Sequence, residues 1–68
     1  MRDHLERLVS DMLDKGVPYE DVRREFEKLS ISRALQRTKG SLGEAADLLG
    51  IHRNTIARKI AEYRLKRV

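Results

Sequence analysis

The chain has 68 residues, of which 40% are hydrophobic and 38% charged, with a formal net charge of +4 and no cysteine. A chain of this length forms one domain at most, whose core buries only about 60% of the surface that the unfolded chain exposes. Without cysteine, disulfides and cysteine-ligated metals are excluded as sources of stability, so self-association is expected. The sequence has no apolar run near the roughly 18 residues of a membrane span, and residues 1–13 lack the apolar core of a signal peptide. These features predict a soluble, cytoplasmic protein with no membrane span.

The positive charge is concentrated in the C-terminal half. Residues 1–34 contain seven Lys or Arg against eight Asp or Glu, whereas residues 35–68 contain eight against three. The two halves therefore carry formal charges of −1 and +5. A basic patch of this kind attracts DNA, RNA or an anionic membrane surface, although a solvated charged face has the same composition.

Two amphipathic helices are predicted in the N-terminal half. The first covers residues 1–15 and ends at Gly16, because its apolar residues recur at spacings of three and four. Pro18 suits the first turn of the second helix, which is predicted over residues 19–38. The apolar residues that we expect these two helices to contribute to a shared dimer core are Leu5, Leu8, Val9, Met12, Leu13, Val22, Phe26 and Leu29.

Two shorter helices are predicted after the break at residues 39–40. Ser41 and Glu44 form a capping-box pattern at the start of the third helix, and Gly50 ends it. Ile51 is expected to be a buried pivot, and His52 is expected to be the N-cap of the last helix, residues 53–63. The chain should then fray into a basic tail over residues 65–68. The predicted fold class is all-α, with four helices: an N-terminal dimerising helical hairpin followed by a C-terminal helix-turn-helix.

The last two helices have the properties that a helix-turn-helix requires. Ala45 and Ala46 are small where two helices cross closely, and Ile56 lies on one face of the last helix with Ile60 and Tyr63. The opposite face carries small residues together with arginine and asparagine. Arginine pairs with guanine and asparagine with adenine in the major groove, whereas shorter polar and lysine side chains contact phosphates. The residues predicted to contact DNA are Ser41, His52, Arg53, Asn54, Thr55, Arg58 and Lys59.

Residues 38–60, which begin Thr-Lys-Gly-Ser and continue through Ala-Ala-Asp-Leu-Leu-Gly-Ile-His-Arg-Asn-Thr-Ile-Ala-Arg-Lys, resemble the Fis-type helix-turn-helix. This family includes the nucleoid protein Fis and the C-terminal domains of NtrC-family activators of sigma-54 transcription. The resemblance extends through Tyr63 and accounts for nearly the whole chain. It implies a single domain over residues 1–68, with dimerisation helices in residues 1–39 and the helix-turn-helix in residues 40–64.

The resemblance also implies a function. Arg53 matches the principal base-contacting arginine of the family, and Thr55, Arg58 and Lys59 match positions that touch phosphates or base edges. We therefore expect a homodimeric, sequence-specific regulator of transcription that binds double-stranded DNA at an inverted repeat and is associated with the nucleoid. In this family the recognition helices lie closer than the roughly 34 Å between successive major grooves, so the resemblance implies that the DNA bends or that its minor groove is compressed. If the chain belongs to a larger activator, the sigma-54 RNA polymerase machinery is a further expected partner.

An enzymatic function is not expected. The sequence has no glycine-rich phosphate loop, no histidine cluster with metal spacing and no cysteine nucleophile, so no catalytic residue, cofactor or metal site is predicted. Two alternatives to a sequence-specific regulator stay open. One is an architectural DNA-binding protein with little sequence preference, and the other is a helical module that dimerises or binds another protein.

Overall fold

A computed structural model describes residues 1–66 and contains four helices joined by short turns. The helices are α1 (Arg2–Lys15), α2 (Tyr19–Arg37), α3 (Leu42–Leu49) and α4 (Arg53–Tyr63). The described residues contain no β-strand. The all-α, four-helix prediction is therefore confirmed, and each helix boundary agrees with the predicted one to within one residue. Arg67 and Val68, the last residues of the predicted basic tail, lie outside the described residues.

The turn between α1 and α2 is set by a glycine and a proline. Gly16 adopts the left-handed conformation with φ of 67°, and the N–H of Val17 donates to the carbonyl of Met12 at 3.0 Å. This pattern closes the C-terminal end of a helix and favours glycine, which has no Cβ to clash. Pro18 has an extended ψ of 143° and is the N-cap of α2, one residue before the first turn in which we expected it.

The turn between α2 and α3 is held by Thr38. Its hydroxyl donates to the carbonyl of Ala34 at 2.9 Å, and the N–H of Gly40 donates to the carbonyl of Leu35, also at 2.9 Å. Lys39 and Gly40 both have positive φ angles, of 54° and 85°. These bonds satisfy the last carbonyls of α2 and redirect the chain into α3.

The hydrophobic core lies between the C-terminal half of α2 and the two short helices. Leu35 on α2 and Ile56 on α4 are its largest fully buried side chains, and Ala45 on α3 is also fully buried. Small alanines on α3 allow the three helices to approach closely. The core consists of Ile31, Ala34, Leu35, Ala45, Ala46 and Ile56, with Leu42, Leu49, Ile60 and Leu65 packed against it.

Leu65 belongs to this packing, so the expectation that the chain frays from this residue is wrong. Arg64 adopts a left-handed conformation with φ of 55°, and the N–H of Leu65 donates to the carbonyl of Ile60 at 3.0 Å. The backbone therefore turns back after α4 and returns an apolar side chain to the core. Burial of that side chain favours the turn over a frayed end.

Helix α1 lies outside this core and has no buried residue. Its apolar stripe and the N-terminal half of α2 border a groove of about 350 Å³ that is lined by Leu5, Leu8, Val9, Met12, Tyr19, Val22, Arg23 and Phe26. The Cα radius of gyration is 13.3 Å, whereas a compact domain of this length has about 11 Å. A single copy of the chain thus leaves the apolar faces of its N-terminal helices open to solvent.

Candidate nucleic-acid interface

The turn between α3 and α4 fixes the start of the last helix. Gly50 has φ of 70°, and its N–H and that of Ile51 both donate to the carbonyl of Ala46, at 2.8 and 3.1 Å. The Ile51 side chain remains 41% exposed, so the prediction that it forms a buried pivot is wrong. The left-handed turn at Gly50 carries Ile51 past the end of α3, onto the rim of a groove beside α2. Ile56, which is fully buried, is the residue that wedges α4 against its neighbours.

One long face of α4 is open. Arg53, Asn54 and Arg58 are all exposed, and so are Ala57 beside Arg58 and Ala61 one turn further along the helix. The ion pairs of residues 1–66 involve other cations, and the Asn54 side chain makes none of the hydrogen bonds in this range. This face therefore presents donors and an amide with no partner in the described part of the chain, as readout of base edges in the major groove requires.

His52 is the N-cap of α4, as predicted. Its Nδ1 accepts a hydrogen bond from the backbone N–H of Asn54 at 3.1 Å, which satisfies one of the free donors at the start of the helix. A neutral imidazole that accepts at Nδ1 carries its proton on Nε2. The exposed ring thus offers an N–H donor to an anion at the same end of α4 as Arg53.

Ser41 occupies the corresponding position on α3. Its Oγ accepts from the backbone N–H of Glu44 at 3.2 Å, which confirms it as the N-cap. The other half of the predicted capping box is not formed, because the N–H of Ser41 donates to the carbonyl of Thr38 at 3.1 Å. The hydroxyl hydrogen of Ser41 stays available to a phosphate near the start of α3.

Thr55 and Lys59 lie on a different side of α4 from the arginines. Both line a groove of about 330 Å³ together with Phe26, Glu27, Ser30, Ile31, Leu49 and Ile51. The Nζ of Lys59 lies 3.3 Å from Oε1 of Glu27 on α2, and the Lys59 side chain is only 21% exposed. The structure thus brings five of the seven predicted DNA-contacting residues to exposed surfaces or helix starts, and turns Thr55 and Lys59 toward α2.

A polar cluster connects the C-terminal end of α4 with α2. The hydroxyl of Tyr63 donates a hydrogen bond to Oε1 of Glu27. The same oxygen accepts a hydrogen bond from Nη1 of Arg23 at 3.1 Å and forms an ion pair with the ammonium of Lys59. The Tyr63 hydrogen bond and the Lys59 ammonium hold the pKa of the Glu27 carboxyl below its usual value. The same hydrogen bond raises the pKa of the Tyr63 phenol, since it favours the protonated hydroxyl.

Sequence reasoning missed this cluster. The sequence pattern places Tyr63 on the core-facing side of α4 and predicts no role for Glu27. The two residues are 36 positions apart, so no helical spacing connects them. The local signals are that α2 places Arg23 and Glu27 four residues apart, where opposite charges pair, and that α4 places Lys59 and Tyr63 at the same spacing.

Comparison with known proteins agrees with this geometry. Residues 22–63 match the family model described as "Bacterial regulatory protein, Fis family". The chain belongs to the Fis family. The matched region includes most of α2 and all of the helix-turn-helix, and so contains both the open face of α4 and the Glu27–Tyr63 contact.

Curated relatives include both short and long proteins. A protein of Xylella fastidiosa named as Fis-like and DNA-binding is 35% identical over a 71-residue alignment that covers 96% of this chain and 79% of the relative. The DNA-binding transcriptional regulators NtrC of Azospirillum brasilense and Rhizobium meliloti are 37% and 44% identical, over 91% and 76% of this chain. The chain spans only 13% and 11% of the length of those two NtrC proteins. No solved structure is significantly similar to the chain.

Membership of the Fis family makes this chain a helix-turn-helix domain of a DNA-binding regulator, which is not an enzyme fold. A membrane-spanning role has no support in the described residues, where each helix is too short or too polar to cross a bilayer. The DNA-binding assignment accounts for the basic C-terminal half and for the unpaired side chains on α4.

Proposed function

We propose that this Fis-family chain acts as a homodimeric, sequence-specific regulator of transcription. In this proposal, α4 of each copy enters the major groove of one half of an inverted repeat, and the α1–α2 hairpins form the shared core. The protein then resides with the DNA in the nucleoid. The observation that carries the proposal is the open face of α4, where Arg53, Asn54 and Arg58 are exposed and unpaired within the described residues.

The chemistry of this face suits base recognition. Two guanidinium groups can each donate two hydrogen bonds to guanine, and the Asn54 amide matches adenine. The exposed Ala57 and Ala61 on the same helix allow close approach of the helix backbone. His52 and Ser41 supply donors for phosphates at the starts of α4 and α3, which would fix the position of the helix without reading sequence.

Thr55 and Lys59 have a more restricted part in this proposal. Thr55 is partly buried, and the Lys59 ammonium must leave Glu27 in order to reach a phosphate. On binding DNA, the Lys59 ammonium would therefore exchange the Glu27 carboxylate for a DNA phosphate. Replacing Lys59 with Ala should weaken binding to all sequences and reduce the slope of affinity against salt concentration by about one, if that exchange takes place.

The open N-terminal hairpin supports the homodimer. Six of the eight apolar residues predicted for the shared core are exposed in a single copy, among them Leu8, Phe26 and Leu29 at 44%, 60% and 57%. Contiguous apolar surface of this kind marks a protein interface. Two-fold symmetry of that interface would orient two copies of α4 for an inverted repeat. Where the chain forms part of an NtrC-type activator, the sigma-54 RNA polymerase machinery would be a further partner.

Selection of binding sites from random duplex DNA, followed by titration with salt, tests this proposal. Enrichment of an inverted repeat, with a loss of affinity on raising salt, supports the regulator because phosphate contacts release counterions. A steep salt dependence without sequence preference would support an architectural DNA-binding protein instead. Absence of binding to any duplex at low salt would contradict both and leave a protein-interaction module.

A further inference from the structure

The Glu27 carboxylate is the centre of the contact between α2 and the C-terminal end of α4. A single oxygen, Oε1, accepts from the Tyr63 hydroxyl and lies 3.3 Å from Lys59 Nζ and 3.1 Å from Arg23 Nη1. Two of these three groups come from α4 and one from α2. Glu27 therefore joins the two helices through directed polar contacts.

The surroundings of Tyr63 strengthen this contact. The ammonium groups of Lys59 and Lys28 lie 5.8 and 5.9 Å from the centre of the Tyr63 ring, within the range of cation–π attraction. Lys59 comes from α4 itself and Lys28 from α2. The ring is thus held between cations of both helices, while its hydroxyl is fixed on Glu27.

The remaining packing of α4 is apolar: Ile56 is fully buried, and Ile60 and Leu65 pack against the same core. Apolar burial has no directional preference, whereas a hydrogen bond weakens steeply when its angle changes. Helix α4 is a rigid rod that begins three residues before Ile56 and ends at Tyr63. Without the Tyr63 contact, α4 is held against α2 by non-directional apolar packing, so its angle to α2 can vary, and the end that carries Arg53 and Asn54 moves with it.

Glu27 also adjoins the predicted dimer surface. Phe26, the preceding residue, is 60% exposed and borders both the groove beside α1 and the groove beside α4. In a dimer, the two copies of α4 would therefore be linked through the two copies of α2, and in each copy the contact of Glu27 would link α2 to α4. The angle between α2 and α4 at the Glu27 contact would then set the separation and tilt of the two copies of α4.

We infer that Glu27 and Tyr63 are positioning residues for DNA recognition, which hold α4 at a fixed angle to α2 and thereby determine the spacing of half-sites that the dimer accepts. This inference rests on the proposed function as a dimer on an inverted repeat. Neither residue needs to touch DNA. Their loss should broaden the range of accepted spacings more than it weakens the contact with each half-site.

The experiment measures binding to a series of inverted repeats in which the half-site spacing changes by single base pairs. The affinity of the wild-type protein for one spacing should be roughly tenfold higher than for spacings one base pair shorter or longer. A tenfold ratio of affinities is about the free energy that one hydrogen bond to a charged group contributes. Tyr63→Phe keeps the ring and removes only the hydroxyl, so it should reduce this preference to about twofold or less while retaining affinity for a single half-site. Glu27→Ala should have the same effect. Glu27→Gln keeps an oxygen that can accept the hydrogen bond of Tyr63, so this variant should retain part of the wild-type spacing preference.

Two matched variants provide controls. Asp21→Asn removes an exposed carboxylate of α2, and Glu62→Gln removes an exposed carboxylate of α4. Both should keep the wild-type spacing preference. A Tyr63→Phe protein with the wild-type preference would overturn the inference and leave the proposed function intact. A wild-type protein that binds no inverted repeat would overturn the proposed function, and the inference with it.

A second measurement does not depend on DNA. The chain has no cysteine, so spin labels attach only where cysteine is introduced. Arg24→Cys on α2 and Glu62→Cys on α4 change two exposed residues and report the distance between the helices when labelled protein is diluted with unlabelled protein. Tyr63→Phe should broaden this distance distribution with unchanged helical content. A distribution as narrow as that of the wild type would contradict the positioning role.

Discussion

The N–H of Gly50 donates to the carbonyl of Ala46 at 2.8 Å, across the turn that separates α3 from α4. This bond closes α3 with Gly50 in the left-handed conformation, at φ of 70°. Because α4 starts three residues later, the conformation of Gly50 decides the direction in which His52 and Arg53 leave the turn. The helix-turn-helix therefore depends on a backbone geometry that favours glycine.

A pair of glycine substitutions tests this dependence. A Cβ at Gly50 would meet no atom within 4 Å, so Gly50→Ala introduces no clash and only the strain of a left-handed alanine, which destabilises the fold by about 1 kcal/mol. Gly43 lies inside α3, also with open space around its Cα. Gly43→Ala should stabilise the fold by about 0.5–1 kcal/mol because alanine loses less conformational freedom in a helix.

Urea denaturation at one protein concentration measures both effects, since the stability of a self-associating protein varies with concentration. The two substitutions add the same methyl group at sites with the same free space, so each is the control for the other. Shifts of the same sign in the two variants would show that the conformation of Gly50 does not matter.

Arg53→Ala should weaken binding to the preferred site by about 1–3 kcal/mol and relax the preference at one base pair, because a bidentate contact with guanine would be lost. Binding measurements on the selected site and its single-base variants detect both changes. Arg24→Ala is the matched control, since it removes an exposed arginine from α2. If Arg53→Ala and Arg24→Ala have equal effects, Arg53 contributes only general charge.

Leu8→Asp should dissociate the proposed dimer. Leu8 belongs to the apolar stripe of α1, and a carboxylate there would be buried without a partner in a shared core. Sedimentation over a range of concentrations measures the change in assembly. Ser10→Asp adds the same charge at an exposed position of α1 outside the apolar stripe and should leave the dimer intact. A Leu8→Asp protein of wild-type size would remove α1 from the interface.

The contribution of the Glu27–Tyr63 contact to the stability of the fold should be lost at both low and high pH. The pKa of Glu27 is lowered, so its contribution to stability is present above the ordinary carboxyl value of about 4.3 and is lost as the pH falls through the lowered pKa. The pKa of Tyr63 is raised, so its contribution is present below about pH 10 and is lost as the pH rises through the raised pKa.

Absorbance of tyrosinate reads this contact directly in Tyr19→Phe, where Tyr63 is the remaining tyrosine. Its titration should occur above pH 10 and should move to lower pH when Glu27→Gln is added, because the carboxylate charge that opposes ionisation is removed. Circular dichroism over the same pH range shows whether the helices remain folded. A titration of Tyr63 that does not change with Glu27→Gln would contradict the contact.

Much of this protein is determined by interactions that are local in the sequence. The four helices follow from apolar residues spaced by three and four, and their ends from caps that act within three residues, such as Ser41 with Glu44 and His52 with Asn54. Gly16 and Gly50 end helices because the left-handed conformation favours glycine. The exposed positions of Arg53 and Arg58 follow from the same periodicity, once Ile56 and Ile60 face the core.

Only the tertiary structure decides which residues of α4 contact α2 and which remain exposed. The crossing of α2 and α4 turns Lys59 toward Glu27, and the turns at Gly50 and Arg64 leave Ile51 on the rim of a groove and bring Leu65 back to the core. It also places Tyr63 on a carboxylate 36 residues earlier in the chain. Such contacts depend on the angle between packed helices, which periodicity within one helix does not contain. The sequence by itself thus determined the elements and the basic face of this Fis-family domain, and packing decided which polar residues stay free for DNA and which join α4 to α2.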